Sequence, residues 1–147
     1  MHAGDSYDPR YLAGIVLFNR ADYFEAHEVW EDLWMETAAP QKKFYQGLIQ
    51  AAVGLCHFCN GNLRGAVKLY HSSRDYMMPF DSPYLGLDNA AFWQDMERCF
   101  AELLANPAFD RRVEINDDLL PVITLSPEPE SWPEPADFLH DDEADRA

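Results

Sequence analysis

The chain has 147 residues, 48% of them hydrophobic, which is enough for one domain with a real core. Its net charge of −15 comes from 15 Asp and 11 Glu against 8 Arg and 3 Lys, so nucleic acid and anionic membrane surfaces are excluded as partners. The N-terminal MHAGDSYDPRYL has no basic region leading into an apolar run, so no signal peptide is expected. The most apolar run, Phe44 to Cys59, holds Gln46, Gln50 and His57 and suits a buried helix better than a membrane span. A cytoplasmic location is expected. Dense carboxylates with few Lys also suit a halophilic, high-salt setting, where screening removes self-repulsion.

Pro9 sits where a first helical turn tolerates it, and Tyr11, Ile15, Val16 and Phe18 follow near helical period. After a break at Asn19–Asp22, a second helix to about Glu36 is expected, with Asp22 as N-cap and Glu25 completing a capping box. Its apolar stripe reads Phe24, Ala26, Val29, Trp30 and Leu33. Ala38-Ala39-Pro40 closes the segment. A third helix is expected over Gln41 to Asn60, a turn at Gly61-Asn62, and a fourth helix over Leu63 to Met78. Ser72 to Asp75 reads as an exposed end of that helix. Pro79, Pro83 and Gly86 mark a loop, and Asp88 can cap a fifth helix over Asn89 to Ala105.

The chain also resembles itself at an offset of 40 residues: Gly14 with Gly54, Phe18 with Phe58, Asp22 with Asn62, Ala26 with Ala66, Trp30 with Tyr70. In each pair of helices a Gly precedes an Ala by 12 positions, a spacing similar to a tetratricopeptide hairpin. Two such hairpins and a fifth helix predict a single all-α bundle of about five helices. The bundle with an extended C-terminal strap around Leu119–Leu125 is expected to occupy 1–125. Residues 126–147, Pro-rich with eight acids and one Arg, are expected to form a largely disordered acidic tail.

Three sets of residues carry a family resemblance: Tyr23 to Trp34 (YFEAHEVWEDLW), Phe44 to Ala52 (FYQGLIQAA) and Gly61 to Ala66 (GNLRGA). With Tyr84-Leu85-Gly86-Leu87-Asp88 they resemble domain of unknown function 309 over about residues 8–125. The resemblance implies a small all-α bundle of bacterial and archaeal cytoplasmic proteins, and no established activity.

His27-Glu28-Val29-Trp30-Glu31 differs from the zinc-protease H-E-x-x-H helix by one residue. His27 and Glu31 lie one turn apart on one face. They are candidate metal ligands, with Glu28 as general base and His57 as third ligand, for zinc, manganese or iron. Gln46, Gln50 and His57 make a second polar stripe. Facing the first, it would give a polar seam of His27, Glu28, Glu31, Gln46 and Gln50, joined by Tyr45 and Arg64. Against a metal site stand the missing second His and Phe24 at the Glu position of an E-x-x-H motif. Cys56-His57-Phe58-Cys59 reads as two buried small residues one turn apart. Two functions follow: a non-catalytic helical module binding a protein partner or itself, or a hydrolase-like metal enzyme using the HEVWE helix.

Overall fold

The computed structural model describes residues 7–140. Five helices follow in order: α1 Pro9–Asn19, α2 Tyr23–Met35, α3 Gln41–Cys59, α4 Leu63–Met77 and α5 Asn89–Leu104. The expected helices are all present, and among the described residues β-pairing is limited to isolated bridges. No described helix is long and apolar enough to cross a membrane.

Local chemistry sets the helix starts. Asp8 accepts from the Arg10 N–H at 2.8 Å ahead of Pro9. Asn62 and Asp88 cap α4 and α5, accepting from the N–H groups of Gly65 and Ala91 at 3.1 and 3.0 Å. Asp22 departs from expectation. It stands at the N-cap of α2, but its side chain makes no capping bond. Its backbone N–H closes the turn that ends α1.

That turn occurs twice. The Asp22 N–H donates to Leu17 O at 2.9 Å, and Ala21 N–H to Phe18 O at 2.9 Å. Forty residues on, Asn62 N–H donates to His57 O at 2.9 Å and Gly61 N–H to Phe58 O at 3.2 Å. Both are Schellman ends, with Ala21 (φ 64°) and Gly61 (φ 82°) in the left-handed position. The self-similarity read from the sequence is therefore geometric, and it makes α1–α2 and α3–α4 equivalent hairpins.

Close approach within each hairpin also falls at equivalent positions. A Cβ on Gly14 would run into the indole of Trp30, and one on Gly54 would lie 3.3 Å from Leu69 Cβ. The hairpins join side by side, α2 packing on α3. Helix α5 closes the core: Phe92 meets Phe18 of α1 at 5.9 Å between ring centroids, and Phe100 meets Tyr70 of α4 at 4.9 Å. The apolar stripe of α2 is Tyr23, Ala26, Val29, Trp30 and Leu33. Phe24 is not part of it: it is 49% exposed. Ser73, expected on an exposed helix end, is buried, with its hydroxyl bonded to Tyr70 O.

The chain after α5 returns along α1. The Asn19 side-chain amide donates to Ile123 O at 2.9 Å, and its carbonyl accepts the Ile123 N–H at 2.8 Å. Leu125 bridges Leu87, and Ser126 N–H donates to Gly86 O at 2.9 Å. Residues 126–140, which the composition assigns to a disordered tail, are laid against the helices. The Tyr7 hydroxyl donates to Pro127 O at 2.7 Å, a 3-10 turn at Pro135–Phe138 packs on α1, and His140 Nε2 lies 2.9 Å from Asp32 of α2. The acidic stretch 141–147 lies outside the described residues.

Candidate functional site

Within HEVWE, Val29 and Trp30 are buried, His27 and Glu28 half-buried, and Glu31 exposed. His27 Nδ1 donates to Phe24 O at 2.8 Å, leaving Nε2 turned toward Glu31 Oε2 at 3.5 Å. This arrangement is the one a metal-binding histidine uses, with one nitrogen anchored to a backbone carbonyl and the other free to accept or coordinate. His57 is elsewhere: at the last turn of α3, its Nδ1 lies 3.3 Å from Asn62 Nδ2. Among the described residues no group of three or more His, Cys, Asp or Glu is placed to hold a metal ion. The expected ligand set of His27, Glu31 and His57 is thus not gathered; the His27–Glu31 pair alone forms.

Of the expected seam, Arg64 and Tyr45 are engaged elsewhere. Glu28, Gln46 and Gln50 are half-buried, Gln46 and Gln50 sharing one stripe of α3. The Gln50 Oε1 is buried without a hydrogen-bond partner among the described residues. Arg64 is exposed at the start of α4 and stacks on the Phe109 ring at 4.5 Å. The C-x-x-C thiols also differ from expectation: Cys59 is exposed and Cys56 only half-buried, while Cys99 is the buried one. Partial burial pushes the thiols of Cys56 and Cys59 upward, so neither is activated as a thiolate.

Tyr45 belongs to a different place, a polar cavity of about 550 Å³ between the start of α1, the end of α2 and the start of α3. Its ring lies 5.8 Å from that of Tyr11, whose hydroxyl donates to Leu85 O at 3.0 Å. Burial holds the Tyr45 hydroxyl well above its ordinary range. Arg10 is held there by Asp8 at 3.1 Å and Glu36 at 2.7 Å. Pro127 reaches this rim from the returning chain.

A second concavity, of about 730 Å³ and more apolar, opens where α4 ends. Tyr76, Pro79, Phe80 and Tyr84 line it, with Pro40 from the start of α3. Phe80 and Tyr84 stack at 4.7 Å, and Phe44 supports both from the core at 5.4 and 4.7 Å. Asp75, Asp81 and Lys43 supply its charge. Sequence reading misses this groove. Tyr76, Phe80 and Tyr84 recur every four residues, but Pro79 ends the helical reading before the pattern completes, and the loop supplies the rest.

The family model described as "Domain of unknown function (DUF309)" matches residues 11–69. The chain is also 31% identical over 101 residues to "Uncharacterized protein YpuF" of Bacillus subtilis (strain 168). That similarity covers 66% of this chain and 58% of the relative, so the chain spans less than two thirds of the relative's length. The matched segment holds both repeated turns, the HEVWE helix and the FYQGLIQAA stretch; the YLGLD loop lies beyond it. Residues 11–69, the two hairpins up to the middle of α4, are similar to the domain of unknown function 309 family.

Proposed function

We propose that this chain is a helical binding module that takes an extended, proline-containing peptide in the groove of Tyr76, Phe80 and Tyr84. The observation that carries this reading is the groove itself, an open aromatic surface of a size that ligand sites use. Aromatic grooves favour polyproline segments, whose backbone is already extended and loses little entropy on docking. Asp75 and Asp81 on the rim favour a ligand carrying a basic residue. The same molecule already seats a proline beside a tyrosine, since the Tyr7 hydroxyl donates to the Pro127 carbonyl.

The test is titration of fluorescent proline-rich peptides with and without Arg or Lys, against the native chain and Tyr76→Ala. Tyr76 is only half-buried, so its loss leaves the core intact. The expected result is a dissociation constant in the region of ~10–100 µM, weakened about tenfold in the variant. No saturable binding, or binding that Tyr76→Ala does not change, overturns the reading.

The His27 geometry favours a second reading, a metal-dependent hydrolase in which His27 and Glu31 bind zinc, manganese or iron and Glu28 acts as base. Its test is the metal content of untagged protein prepared without chelator. Near-stoichiometric metal, lost in His27→Ala, supports it; protein that neither carries nor takes up these ions rules it out.

A further inference from the structure

The two equivalent hairpins differ most in the charge of their second helices. Helix α2 carries Glu25, Glu28, Glu31 and Asp32 and no Lys or Arg. Helix α4, at the matching place in the second hairpin, carries Arg64, Lys68 and Arg74 against the one acid Asp75. With formal charges of +3 and −1, α4 is +2 in a chain of −15, so the rest of the molecule is −17.

These residues are also presented outward. Arg64, Lys68, His71 and Arg74 are all exposed. At 100° per residue, Arg64, Lys68 and His71 share one stripe. Among the described residues, neither Lys68 nor Arg74 has a carboxylate within ion-pair distance, and the Arg64 guanidinium lies on a ring. On α2 the outward stripe is Phe24, Glu31 and Met35, with Phe24 and Met35 exposed by 49% and 62%. Helix α3 packs against both helices and keeps the two faces as separate surfaces of one molecule.

We propose that two copies of this chain dock reciprocally, the acidic, apolar-flanked face of α2 of one copy lying on the basic face of α4 of the other. The rest of the second copy is the acidic partner that the α4 stripe fits, and a two-fold axis satisfies both pairs of faces at once. Exposed ion pairs alone stabilise little. Phe24 and Met35 supply the apolar centre, and the charges set orientation and exclude α2 against α2. The inference goes beyond the peptide groove and does not use Tyr76, Phe80 or Tyr84.

Sedimentation velocity of the full chain tests it, at up to about 100 µM, in salt of about 0.05 M and about 1 M. A dimer is expected at low salt and a monomer at high salt. Lys68→Glu and Glu31→Lys should each weaken association about tenfold or more, and the double exchange should restore it. All of these positions are exposed, and thermal melts of each variant check that the fold is kept. A native chain that stays monomeric at low salt overturns the proposal. So does a dimer indifferent to both single reversals, or one that the double exchange fails to restore. Tyr76→Ala should leave the dimer unchanged, which separates this surface from the groove.

Discussion

Gly14 lies against the indole of Trp30, whose Nε1 donates to the Tyr11 carbonyl at 3.1 Å. The indole fills the space that a side chain at position 14 would take, and Trp30 is fully buried. Gly14→Ala forces the ring to move and strains or breaks its hydrogen bond. Urea denaturation should show a loss of about 2–3 kcal/mol, with a shifted Trp fluorescence maximum. The equivalent Gly54→Ala meets only Leu69 Cβ at 3.3 Å. The better helix propensity of Ala, about 1 kcal/mol, offsets that contact and leaves its stability near native.

The paired Schellman turns give a second comparison. Ala21 is held at φ 64°, and Gly61, at φ 82°, has open space where a Cβ would stand. Gly61→Ala should therefore cost about 1 kcal/mol through backbone conformation alone. Ala21→Gly should gain up to about 1 kcal/mol. Shifts of the same sign at both sites in thermal melts would contradict the equivalence of the turns.

Burial pushes the Cys99 thiol up to about 12 from an ordinary value near 9. The folded state therefore holds a proton that the unfolded chain releases. This contribution is complete below about pH 9 and is lost as pH rises toward 12, at about 1.4 kcal/mol per pH unit. Stability measured between pH 9 and 10 should fall less steeply in Cys99→Val than in the native chain. The slope that remains belongs to Cys56 and Cys59 and to buried tyrosines such as Tyr11, Tyr23 and Tyr45, all raised in the same direction.

Tyr7→Phe removes the donor that holds Pro127 O. The amide of Ser126, bonded to Gly86 O, reports on that segment. Its hydrogen exchange should speed up about three- to tenfold, matching one lost hydrogen bond, while amides in α3 keep their native rates.

The helices are legible in the sequence because their start and stop signals are local. Asp8-Pro9, Gly61-Asn62 and Asp88 act within one turn of chain. The repeat is legible because Gly14 with Trp30 and Gly54 with Tyr70 keep the same interval. What periodicity does not give is which neighbour a face meets. Phe24 follows the spacing of His27 and Glu31, and the structure exposes Phe24 and Glu31 on α2 while His27 is half-buried. Polarity alone groups Arg64 with the polar stripes, but it stacks on Phe109, brought back by the chain after α5. Within α3 the stripe of Gln46, Gln50 and His57 follows from spacing, while its juxtaposition with His27 depends on helix rotation, which one sequence does not encode locally.

The two bonds between Asn19 and Ile123 span 104 positions of chain. Helices α1 to α4 pack on sequence neighbours. During synthesis the first hairpin can close as soon as it emerges, and the second can settle on it in turn. The Asn19 amide must wait with open bonding groups until residue 123 has been made. A ribosome stalled before residue 123 should therefore display hairpins that are already formed and a strap seam that is still wet.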